Sequence, residues 1–213
     1  MIRLASILLL ITTSGCIFRN ADAPRLYRPA AATLDDVTTP PASDSGTPIR
    51  LRPVHGTPIL RERIVWRSSA VEYGVYEQRQ WLELPASYVE RALTTQLART
   101  PGIRLTDDPR ADVLSVEVTA FDEVLAPAYA AQIAVTVVLR DGSGRRLVDR
   151  GFTADQAAVG AGSDAFPIAM GAALDRLVAD VAQAVAAAVA PTQRTSHSSP
   201  PSGRKNRANM PDR

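Results

Sequence analysis

Two consecutive stretches near the middle of the chain alternate apolar and polar side chains with period two, and this pattern constrains the fold most. Leu114, Val116, Val118 and Ala120 fall on one side, and Ser115, Glu117 and Thr119 on the other. Ile133, Val135, Val137 and Leu139 alternate in the same way with Gln132, Thr136 and Arg140. Successive strand side chains point to opposite faces, so each stretch predicts a strand with one buried face. Asp141-Gly142-Ser143-Gly144 then forms a hairpin loop to a strand around Leu147 to Thr153. The result is a meander of three antiparallel strands. Earlier runs at Ile49 to Pro53, Arg63 to Arg67 and Val71 to Tyr76 predict further strands.

Two helices bracket the meander. Pro85 sits near a first helical position, where its missing N–H costs nothing. Tyr88, Val89, Ala92, Leu93 and Leu97 follow at helical spacing, and Pro101-Gly102 stops the element. The second helix begins near Ser163-Asp164, which are placed to cap it, and runs to about Ala190 before Pro191. Its apolar stripe is Leu174, Leu177, Val178, Val181, Val185 and Val189, with Asp175, Arg176, Asp180 and Gln183 opposite. Strands before, between and after helices predict an α/β sandwich with a mixed sheet.

The N-terminus carries a different kind of signal. Arg3 precedes the apolar run Leu4 to Ile11, and small polar residues follow it, which is the pattern of a secretory signal over residues 1–15. The run is far below the ~20 residues of a membrane-spanning helix. The chain's single cysteine, Cys16, stands directly after Ser14-Gly15. One cysteine cannot form an internal disulfide, and an unpaired thiol in an exported protein invites oxidation. The arrangement resembles a bacterial lipobox, in which the cysteine becomes the lipidated first residue of the mature chain, carrying palmitate-type acyl chains. Thr13 departs from the usual Leu of that pattern. Ile17, rather than Asp, follows the cysteine, which by the same resemblance implies the outer membrane of a Gram-negative bacterium.

Residues 16–48 hold Pro24, Pro29, Pro40, Pro41 and Pro48 among Ala, Thr and Ser, and read as a tether, with a short strand possible at Leu26-Tyr27-Arg28. Residues 191–213 are rich in Ser, Pro, Arg and Asn and read as a disordered tail. That leaves one domain over 49–190. The charge is divided in the same way. The tail's five basic residues against Asp212 give +4, and the signal contributes Arg3; without them the total of +2 becomes −3 for residues 16–190. The pI near 9.0 therefore belongs to the tail. A domain that bound nucleic acid would carry its own basic face, so no nucleic-acid partner is expected.

Chemistry is hard to assemble. His55 is the only histidine outside the tail, which holds His197, and no serine-hydrolase elbow, zinc-protease helix or phosphate loop is present. No metal, cofactor or catalytic residue is therefore expected. The acidic groups Asp107-Asp108-Asp112 and Asp122-Glu123 suit solvated loops better than acid/base work. Gly160-Ala161-Gly162 reads as a hinge before the second helix. Aromatics are concentrated instead: Trp66, Tyr73, Tyr76, Trp81 and Tyr88 fall within 23 residues. They either fill the core between the first helix and the sheet or form a partner- or ligand-facing surface.

The order of these motifs resembles the ABC-type transport auxiliary lipoprotein family, of which paraquat-inducible protein C is a type. The resemblance rests on Ile64-Val65-Trp66-Arg67, on Val71-Glu72-Tyr73 through Tyr76, on Trp81-Leu82-Glu83-Leu84-Pro85, and on a helix containing Ala92-Leu93 and Leu97. It implies a three-layer α/β/α domain with a mixed sheet of about five strands. It also implies a non-enzymatic docking lipoprotein on the periplasmic face of the outer membrane. The implied partner is a protein with mammalian-cell-entry (MCE) domains that moves phospholipid or other hydrophobic cargo between membranes, and self-assembly into a homo-oligomer would fit that role. The other class of function compatible with the sequence is a structural or assembly lipoprotein of another envelope complex, such as a secretion apparatus.

Overall fold

The computed structural model describes residues 23–35, 45–160 and 162–190, so the signal, Cys16 and the basic tail lie outside the described residues. In chain order the elements are β1 (Arg25–Tyr27), α1 (Ala32–Asp35), β2 (Thr47–Leu51), β3 (His55–Gly56), β4 (Arg63–Arg67), β5 (Tyr73–Trp81), α2 (Pro85–Arg99), β6 (Ile103–Leu105), β7 (Asp112–Val124), β8 (Ala130–Arg140), β9 (Arg146–Ala157) and α3 (Ala165–Val189).

Strand β7 organises the sheet. Along one edge it pairs antiparallel with β8, from Val113 opposite Arg140 to Val124 opposite Ala130, and β8 pairs antiparallel with β9. Along its other edge β2, β3 and β4 add in succession, all parallel to it. Outboard, β6 pairs parallel with β2, β5 antiparallel with β4, and β1 parallel with β5. The sheet is thus mixed, as expected, but nine-stranded rather than about five. The strands with little periodicity of their own are β1, β3 and β6, each two or three residues long.

A register shift in the β7–β8 pair between Val118 and Ala120 marks a bulge. It keeps Phe121 on the same buried face as Leu114, Val116 and Val118. Helices α2 and α3 pack on that face and on each other. The Trp81 ring from β5 joins them, at 6.3 Å from Tyr88 of α2, 5.1 Å from Phe121 and 5.5 Å from Phe166 of α3. On the other face of the meander Glu117, Thr119 and Thr136 are exposed.

Helix α2 begins at Pro85 and is followed by Gly102 at φ +83°, as its sequence boundaries required. The expected cap of α3 is not made. Asp164 has helical backbone angles and its side chain bonds no helix N–H; it accepts from Ser163 Oγ instead.

The stretch read as a tether is partly built into the domain. Leu82 N–H donates to the Tyr27 carbonyl at 2.7 Å and Ala30 N–H to the Pro167 carbonyl at 3.1 Å. Ala31 is fully buried. A Cβ on Gly171 of α3 would overlap the Ala30 carbonyl, so the strap crosses α3 where the helix lacks a side chain. Asp175, expected on the solvent side of α3, accepts hydrogen bonds from Ala32 N, Thr33 N and Thr33 Oγ1 at 2.7, 3.1 and 2.6 Å. One carboxylate from α3 therefore caps α1.

Candidate functional site

The C-terminal end of β7 brings two carboxylates into the protein. Asp122 is 4% and Glu123 2% exposed, so the expectation of solvated loop charges does not hold for this pair. Both lie inside a strand rather than at its edge, and adjacent strand residues face opposite sides of the sheet. Each carboxylate therefore has its own surroundings.

On the helix-covered side, Glu123 is fully engaged. Arg79 Nη1 donates to its Oε2 at 2.6 Å, and the Tyr129 hydroxyl donates to its Oε1 at 2.6 Å. The Tyr76 phenol lies close enough to feel its charge. A buried charge is tolerated when it is paired and its oxygens are hydrogen-bonded, and Arg79 and Tyr129, one on each oxygen, meet that condition here. The guanidinium of Arg79 lies over three rings, 4.3 Å from the Tyr76 centroid, 5.4 Å from Tyr27 and 5.7 Å from Phe166. Trp66 adds a fourth, 6.4 Å from Tyr76. The Trp66 ring also lies over Gly74, where any Cβ would collide with it. Burial and the Glu123 charge push the Tyr76 phenol up to about 12, and the Tyr129 phenol rises for the same two reasons. Both stay neutral hydrogen-bond donors at neutral pH. The arrangement joins β1, β4, β5, β7 and α3 by one network.

On the open side, Arg67 Nη2 donates to Gln132 Oε1 at 2.7 Å, and Gln132 Nε2 donates to Asp155 Oδ1 at 2.6 Å. Asp122 stands in register opposite Gln132 and accepts the Phe121 N–H at 3.1 Å. Burial raises its carboxyl above the ordinary range, and the Phe121 N–H and the Arg67 charge only partly offset this.

The five aromatics separate along the two alternatives the sequence left open. Trp81 and Tyr88 are core residues, 2% and 0% exposed. The Tyr88 hydroxyl accepts the Glu83 N–H at 3.1 Å, and Arg91 clamps the Glu83 carboxylate with contacts of 2.9 and 2.7 Å. Trp66 and Tyr76 are half-buried in the Glu123 network, and Tyr73 is exposed. The sequence assigns no role to Arg79 or Tyr129, and it offers Tyr27 only as part of a short strand and Glu123 only as one of a solvated acidic pair. A Tyr and an Arg in a nine-residue strand carry no signal of a partner 44 residues away.

Elsewhere the expected polar groups are structural or open. Asp108 and Asp112 accept the Arg110 and Gly142 N–H groups at 2.9 and 3.1 Å. His55 lines a shallow concavity of about 440 Å³ on the open face with Arg52, Ser115, Glu117 and Thr136. Among the described residues no group of three or more His, Cys, Asp or Glu is placed to hold a metal ion.

A family described as the ABC-type transport auxiliary lipoprotein component matches residues 33–182. No curated protein matches the sequence. Among solved structures, protein XCC0632 from Xanthomonas campestris is similar at 18% identity and a TM-score of 0.64, over 77% of this chain and 96% of that one. An uncharacterized protein is similar at 18% identity and a TM-score of 0.56, over 78% and 98% of the two chains. Both likenesses concern the fold.

Proposed function

The chain belongs to the ABC-type transport auxiliary lipoprotein family, and we propose that it is the outer-membrane docking component of such a system, held to the periplasmic face by lipid on Cys16. The family match over most of the domain carries this reading. Ser14-Gly15-Cys16 after a short apolar run supports the anchor, and Ile17 supports the outer membrane as its destination. Two or more acyl chains make anchoring stable, at roughly 0.8 kcal/mol per buried methylene.

The partner proposed is an MCE-domain periplasmic protein that carries phospholipid or another hydrophobic cargo. A docking role without catalysis is supported by the strongest polar cluster, whose Glu123 carboxylate is occupied by Arg79 and Tyr129. Self-assembly of the lipoprotein around such a partner fits the same role. Fractionation of the envelope tests the anchor. The native chain should band with the outer membrane, and Cys16→Ser should abolish that banding; outer-membrane retention of the variant would refute lipid anchoring.

A further inference from the structure

The two ends of the sheet differ in kind. At one end lie three neighbouring loops: residues 68–72 between β4 and β5, 125–129 between β7 and β8, and 158–164 between β9 and α3. Leu125 N–H donates to the Arg67 carbonyl at 2.8 Å and Ala158 N–H to the Tyr129 carbonyl at 3.0 Å, which ties the three together. Seven of the eleven exposed large apolar side chains among the described residues sit here: Val71, Tyr73, Val75, Leu125, Tyr129, Val159 and Ile168. Val71 and Val159 are 90% and 87% exposed. The three loops hold only two charged residues, Glu72 and Asp164. At the opposite end the corresponding loops read Thr106-Asp107-Asp108-Pro109-Arg110-Ala111-Asp112 and Asp141-Gly142-Ser143-Gly144-Arg145-Arg146. Exposed apolar residues grouped at one end mark a contact surface rather than ordinary scatter.

The path of the chain names the occupant. Strand β1 is parallel to β5, with Arg25 beside Arg79 and Tyr27 beside Trp81. Since β5 starts at Tyr73, the chain enters β1 from the side of the apolar loops. From Cys16 to Ala23 there are seven residue steps, which span at most ~25 Å. The strap cannot lengthen this reach while β1, Ala30 and the Asp175 cap hold it to β5 and α3. A lipid on Cys16 therefore keeps the apolar end close to the bilayer from which the chain rises.

We propose that this end of the domain is a second membrane contact, with the tips around Val71 and Val159 seated in the headgroup region of the bilayer that holds the Cys16 lipid. Tyr73 and Tyr129 would sit at the interface level that amphipathic rings prefer. With no Lys or Arg in the three loops, the contact is apolar and does not depend on anionic lipid. The charged end then points away from the membrane. This rests on lipidation of Cys16 as proposed above.

The test uses the full lipidated chain, isolated from membranes and reconstituted in phosphatidylethanolamine/phosphatidylglycerol vesicles that carry nitroxide-labelled acyl chains. Val71→Cys, Val159→Cys and, as the control at the charged end, Ser143→Cys are each labelled with an environment-sensitive fluorophore. The lipidated Cys16 sulfur is a thioether and takes no label. The expected result is blue-shifted emission and several-fold stronger lipid quenching at positions 71 and 159 than at 143, unchanged by salt. Equal, weak quenching at all three positions, with the protein still floating with the vesicles, would overturn the proposal and leave the anchor intact. Labels shielded from aqueous iodide yet unquenched by lipid would overturn it in favour of a protein, or a second copy, on this end. Failure to float would overturn both the anchor and this contact.

Discussion

Arg79 and Glu123 form an ion pair 2.6 Å long between β5 and the end of β7, with the carboxylate almost fully buried and the guanidinium held over Tyr27, Tyr76 and Phe166. The pair connects the strand that receives the N-terminal strap to the strand that organises the sheet. Removing one partner strands the other charge in a poorly solvated place. Arg79→Met is expected to destabilise the fold by about 3–5 kcal/mol, and Arg79→Met with Glu123→Leu to recover most of that loss. Urea denaturation of the two variants checks this; equal losses in both would show that ring packing, not charge, holds the site.

Asp175 is expected to act locally. Asp175→Ala removes three acceptor contacts from Ala32 and Thr33, worth about 1–2 kcal/mol for a helix cap. Hydrogen exchange should accelerate at the Ala32 and Thr33 amides and stay unchanged in β7 and β8.

Gly171→Ala separates two opposing effects. Helix propensity alone predicts a gain of about 1 kcal/mol. The overlap of the new Cβ with the Ala30 carbonyl predicts a loss of about 1–3 kcal/mol. The clash involves backbone on both sides and should win, so the midpoint of thermal unfolding should fall. A rise would show that residues 30–35 do not lie against α3.

Asp122 gives a pH dependence of definite sign. Its carboxyl is raised above 3.8, chiefly by burial, so the folded state binds that proton more tightly than the unfolded state. Its contribution to stability is full below the unfolded value and is lost as pH rises through the raised folded value. Asp122→Asn, which keeps an acceptor for the Phe121 N–H, should therefore be more stable than the native chain at neutral pH. The gain should vanish below about the ordinary carboxylate pKa. Denaturation curves at pH 3 to 7 check the trend; a stability loss at neutral pH would mean that the Arg67 charge outweighs desolvation.

What was legible in the sequence follows from where the physical signal is local. The β7–β8–β9 meander is written in the alternation of its first two strands and in the Asp141-Gly142-Ser143-Gly144 turn, and α2 in Pro85, its apolar stripe and Gly102. The strand count was not, because β1, β3 and β6 are only two or three residues long and too short to show a period. The strap was missed since Pro24, Pro29 and the alanines read as tether, and its binding residues Gly171 and Asp175 lie about 140 positions away. The Glu123 network was missed for the same reason. Asp122-Glu123 is a loop-like pair in composition, and only the register of β4, β5 and β7 supplies its partners. Of the five aromatics, Trp81 and Tyr88 went to the core because Trp81 meets both helices from the sheet, and Tyr88 points from α2 toward Trp81 and Phe121.

Affinity isolation of the lipidated chain from gently solubilised envelopes tests the docking role most directly. Mass spectrometry of the captured material should find an MCE-domain protein together with the ATPase and permease of an ABC-type system, and the MCE-domain protein used as bait should return this chain. Capture of secretion components alone, or of no partner under conditions that keep the envelope complexes intact, would contradict the proposal.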